Sequence, residues 1–111
     1  MNQQRQIPEA DWKLWRRLRE RALERYCQTA LNEFAEFKDG EGSAHQRYLR
    51  LYQLVQRRDQ ELGEIFDGPK RSNAFFQITF AVQAGLVSPD ELALLSEETR
   101  SVIGFLSGHD R

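Results

Sequence analysis

With one cysteine and two histidines among 111 residues, the chain has little with which to cross-link itself or grip a metal. A lone Cys27 forms no internal disulfide, and His45 and His109 are far from it in sequence. No metal-ligand cluster is readable, and neither a metal nor another cofactor is expected. This thiol usage fits a reducing compartment, so the cytoplasm is the expected location. Long apolar runs are also missing. Nowhere do ~18 apolar residues follow one another, which argues against a membrane span, and the opening MNQQRQIPEADW lacks the apolar stretch of an export signal. Neither sign of charge is in excess: 16 Lys and Arg against 17 Asp and Glu leave a formal net charge of -1. That balance argues against a protein dedicated to nucleic acid or to a membrane surface. There is no Gly-rich phosphate loop, EF-hand spacing or HExxH.

What is present is enough apolar material for one core. The chain is 40% hydrophobic and 30% charged, a composition that offsets the entropy of folding, and its length suits a single helical domain over 1–111 with loose tails at 1–7 and 108–111. The pattern is helical throughout. Pro8 suits a first helical turn, and Glu9 and Asp11 complement the positive end of the helix dipole. From there to Lys38 no Gly or Pro intervenes, while Trp12, Trp15, Ala22, Leu23, Tyr26, Ala30, Phe34 and Phe37 recur on one broad stripe. Asp39-Gly40-Glu41-Gly42 breaks that helix. Ser43 and Gln46 then form a capping box for a second helix running to Phe66, with Ala44, Tyr48, Leu51, Tyr52, Val55, Leu62 and Phe66 as its predicted stripe, flanked by Leu54 and Ile65. A short connection between two long helices implies an antiparallel hairpin.

The stretch SNAFFQITFAVQAG, 72–85, is apolar in nearly every direction when projected at about 100° per residue: Phe75, Ile78 and Val82 on one side, Phe76 and Phe80 on another. A helix of that kind has to be enclosed by its neighbours. Ser88-Pro89-Asp90-Glu91 opens a short fourth helix with an N-cap serine, a proline at the first position and a capping-box glutamate. Ser96 opens a last one, with Thr99, Val102, Ile103 and Leu106 on one face. The expected fold is an all-α bundle of four to five helices, in which a long antiparallel helical hairpin packs on a buried central helix and a short C-terminal helix pair closes it.

Charges falling inside apolar stripes are the natural candidates for a site. Arg19 sits between Trp15 and Leu23, and Asp59 between Val55 and Leu62. Folding the hairpin at residues 39–42 brings the two within about one helical turn, so a buried Arg19–Asp59 ion pair is expected, either fixing register or flooring a ligand cleft. Arg58, Arg71 and Ser72 bracket the connection into the third helix and suggest an anion niche at its N-terminus. The run Lys13, Arg16, Arg17, Arg19, Arg21, Arg25 is the densest basic feature, but it spreads around its helix with Glu20 and Glu24 interleaved, as a solvated face does. His45 stands in a helix first turn with no Ser or Cys partner, and Cys27 falls on an apolar stripe, so no catalytic residue is assigned and enzymatic chemistry is not expected. Aromatic side chains exceed what one small core needs, and Trp12 and Trp15 at the start of the first helix are the expected interaction surface. The functional expectation is a small cytoplasmic protein acting through protein–protein interaction, with a homodimer or another protein as partner. A regulatory nucleic-acid binder or a small anion binder stands as the alternative.

Overall fold

The computed structural model describes residues 6–108 and is all-helical over them. Helix α1 spans Glu9–Ala35 and tightens into a 3-10 turn over Glu36–Lys38. Helix α2 spans Ala44–Phe66, a second 3-10 turn covers Arg71–Asn73, and α3 (Ala74–Gln83), α4 (Pro89–Leu92) and α5 (Glu97–Leu106) follow. The local signals account for most boundaries. Ser43 accepts a hydrogen bond from the Gln46 N–H, and the Gln46 side chain accepts one from the Ser43 N–H. Ser88 and Glu91 do the same at α4, and the Ser96 hydroxyl caps α5 by accepting from the Thr99 N–H. Gly85 ends α3 at a positive φ of 76°, a conformation that costs an L side chain about 1–2 kcal/mol.

α1 and α2 form the antiparallel hairpin, and α3 packs against both of them and against α5. The core gathers at one end of the molecule. Trp15, Leu18 and Ala22 from α1 and Ile65 and Phe66 from α2 meet Ala74, Ile78 and Ala81 of α3, with Leu86, Val87, Leu95 and Ile103 closing the far side. The other half of the hairpin, from about Ala30 round to Val55, stands out from this base as a two-helix arm, which gives the molecule dimensions of 60 × 29 × 28 Å.

Three expectations are corrected here. Ile7 is buried in the core, so the expected loose segment 1–7 is anchored at that residue; 1–5 and 109–111, His109 among them, lie outside the described residues. The central helix is enclosed on three sides rather than all round, because Phe76 and Phe80 share an outer face that remains exposed. The face that α2 turns to α1 is shifted from the centre of the predicted stripe towards its flanking Leu54 and Ile65, with Arg58 between them, although Leu62 and Phe66 of that stripe do pack into the core. Tyr48, Tyr52 and Val55 are left at the surface in consequence.

Candidate functional site: a polar clasp at the base and an exposed apolar arm

Two buried carboxylates join α1 to the C-terminal helices. Glu91, 7% exposed, closes the capping box of α4 and at the same time receives Arg25 from α1 in a two-pronged pair of 2.6 and 2.9 Å. Arg21 approaches it to 3.4 Å, and Arg25 also donates to the Leu86 carbonyl at 2.8 Å. Hydrogen bonding from Arg25 outweighs the cost of burial and holds the Glu91 carboxyl down at about 2. Asp11, 4% exposed, accepts from the Ser96 N–H and from the hydroxyls of Ser96 and Thr99, so a residue of α1 helps to cap α5. Burial raises the Asp11 pKa, but those three donors together bring it below the ordinary carboxylate value.

A third cluster ties the hairpin itself. Arg58 of α2 forks onto Glu33 of α1 at 2.8 and 2.9 Å and reaches Glu61 at 3.2 Å. The Tyr26 hydroxyl lies 2.8 Å from Glu61 and 2.9 Å from the Arg58 carbonyl. The Arg58 contact lowers Glu33, and its pairing with Glu33 raises Arg58; burial, then Glu61, raises Tyr26. All of these shifts lead away from neutral pH and fix each group in the state it already holds. A side chain poised to exchange protons needs the opposite tuning. The chemistry of these residues is that of a clasp.

The candidate residues read from the sequence are dispersed. Arg19 donates to the Phe66 carbonyl and lays its guanidinium over the Phe66 ring, 5.8 Å from the centroid, while Asp59 is exposed on the flank of α2. The Arg19–Asp59 pair is therefore not formed. Arg19 stands at the level of Phe66 and Asp59 near that of Tyr26, about 10 Å away along the hairpin, and Asp59 also lies about 100° round from its neighbour Arg58, which occupies the seam. The anion niche is not assembled either: Arg58 is committed to Glu33, Arg71 pairs with Glu9, and Ser72 is exposed within the 3-10 turn that precedes α3. Trp15 is fully buried and Trp12 packs partly buried against the same core, so this end of α1 is covered by α2, α3 and the C-terminal segment instead of projecting past its partner. Of the basic run, Lys13 pairs with Glu9, Arg19 with Phe66, and Arg21 and Arg25 with Glu91; Arg16 and Arg17 are exposed. Cys27 is half-buried and His45 exposed.

The feature that the sequence reading misplaced is the arm. Leu31 (59% exposed), Tyr48 (64%), Tyr52 (55%) and Val55 (40%) stand out along it. They share one flank. At 100° per residue Leu31 lies on the same side of α1 as Phe34 and Lys38, and the 3-10 turn brings Phe34, Lys38 and Tyr48 around one open hollow at the tip. The opposite flank, with Thr29, Glu33 and Glu61, runs down to Ala84 and Leu86 at the end of α3. The signal that could have found this face was the surplus of aromatic residues; what was lacking was the rotation of α2.

Among the described residues, no three His, Cys, Asp or Glu side chains gather as they would around a metal ion, and no helix is long and apolar enough to cross a membrane. No protein-family model, curated protein or solved structure matches the chain.

Proposed function

We propose that the chain is an assembly module: a clasped helical base that holds out a two-helix arm, the apolar flank of which docks against a protein partner. One observation carries this reading. Four large apolar or aromatic side chains on neighbouring turns of two packed helices are left 40% or more exposed, on the flank that no other helix covers. Scattered exposed apolar residues need no explanation, but a contiguous face is a feature of interaction surfaces. Tyrosine favours that use, since it brings large contact area and a polar tip at a small loss of side-chain freedom. The clasp supports the same reading, because the arm is held by a base in which the carboxylates of Asp11 and Glu91 are saturated with donors.

Site-specific photo-crosslinking in cells tests it. A benzophenone side chain in place of Tyr52 should give a discrete protein adduct, and the same group in place of exposed Arg57, on the other flank, should give none. Equal labelling from both positions, or none from Tyr52, would reject the arm as a docking surface.

A further inference from the structure

The exposed flank of the arm matches itself when one copy is turned end for end. Leu31 is its midpoint on α1. Glu24 and Lys38, both exposed, lie seven residues to either side of it, about 10 Å along the helix in each direction, and neither is in an ion pair among the described residues. On α2, Tyr52 and Val55 straddle the same level, because Phe34 meets Leu51 at the tip and Tyr26 meets Glu61 nearer the base. Tyr48 and exposed Asp59 lie symmetrically outside that pair.

From this juxtaposition we propose that the arm's partner is a second copy of this chain, packed antiparallel about a two-fold axis at the level of Leu31. The inference rests on the arm being an interaction surface. Such an axis lays α1 on α1 and α2 on α2, brings Leu31 onto its own symmetry mate and sets each Glu24 opposite the other copy's Lys38. Tyr52 then meets Val55, and the Tyr48 hydroxyl reaches the level of Asp59, whose carboxylate accepts from it. The result is a four-helix bundle of two hairpins with an isologous interface, in which every contact away from the axis occurs twice. A two-fold axis along the helices would instead lay α1 on the partner's α2 and leave Glu24 and Lys38 at different levels, so only the antiparallel arrangement pairs these opposite charges. From Glu24 to Lys38 the flank is about 21 Å long and two helices wide, a footprint of about 420 Å² before corrugation, roughly half the ~800 Å² per partner of a standard interface and of the size of a weak, reversible dimer.

Sedimentation equilibrium on the full chain decides the matter. The wild type should dimerise. Glu24→Lys and Lys38→Glu should each weaken the dimer on the order of tenfold, since each sets two like-charged pairs across the axis. The double variant Glu24→Lys/Lys38→Glu should recover the wild-type constant to within about threefold. These positions are exposed, so unchanged helicity by circular dichroism is expected in all three. A dimer that the double reversal fails to restore would overturn the antiparallel axis. A wild type that stays monomeric to about 1 mM would overturn self-pairing altogether. If Tyr52 then crosslinks to a different protein, the arm still docks a partner; without any adduct, both readings fall.

Discussion

Glu91 does two things with one carboxylate, closing the capping box on Ser88 and taking the guanidinium fork of Arg25, and the two can be separated by substitution. Glu91→Gln keeps a capping-box side chain but gives up the charged fork. With Arg25 42% exposed, its expected cost is discounted to about 1–2 kcal/mol rather than the 3–5 kcal/mol of a fully buried pair. Chemical denaturation measures that loss. Asp11→Ala strips the Ser96 N–H and the Thr99 hydroxyl of their acceptor in a buried place and should cost about 2 kcal/mol, a fall in Tm of roughly 10 °C. Arg19 and Asp59 give the sharpest contrast at this scale. Arg19→Ala loses both the Phe66 carbonyl and the stack on its ring and should cost about 1–2 kcal/mol, whereas Asp59→Leu, at an exposed position, should stay within about 0.5 kcal/mol of wild type. Equal losses in the two variants would restore the ion pair that the sequence suggested.

At the scale of the element, the helix boundaries were legible because their signals are local. Ser43 with Gln46, Ser88 with Pro89 and Glu91, and Ser96 each act within four residues, and Gly85 supplies the one backbone conformation that its neighbours could not adopt cheaply. Gly85→Ala has open space around its new methyl group, so its penalty is conformational alone: about 1–2 kcal/mol, read as a lower thermal midpoint with an unchanged fold. Rotation about a helix axis was not legible in the same way. The centre of the predicted stripe and its Leu54/Ile65 edge are both apolar, and the balance between them is set by Arg58 gripping Glu33, 25 residues away, and by Ile65 seating in the core beside α3. The same limit hid Asp11 and Glu91. An acid in a first helical turn reads as dipole complement, and nothing local to Asp11 announces that Ser96, 85 residues on, will bond to it. The arm and the base should also differ in local stability, since few buried side chains lie beyond Ala30 and before Leu54. Amide exchange in the monomer should therefore be faster over residues 36–50 than over α3.

For the molecule as a whole, the depressed carboxylates set its response to acid. Glu91 falls from 4.5 to about 2 on folding, and Asp11 and Glu33 also titrate below their ordinary values. Stability from a lowered carboxyl is fully present above its unfolded value and is lost as pH falls through its folded one. Stability should thus hold above pH 4.5 and decline steeply from there towards pH 2, and Glu91→Gln should flatten part of that slope; thermal midpoints taken across the window measure both. The elongated form has its own signature. The radius of gyration, 17.1 Å, exceeds the roughly 13 Å of a compact chain this long, a difference that small-angle scattering resolves. The 85-residue span between Asp11 and Ser96 finally imposes an order of events during synthesis. The hairpin has all its own contacts once α2 has left the ribosome, but the carboxylate near the start of α1 stays wet until α5, made much later, arrives to claim it. A nascent chain halted before Ser96 should hold a formed hairpin over an unfinished base, with the Asp11 carboxylate still hydrated.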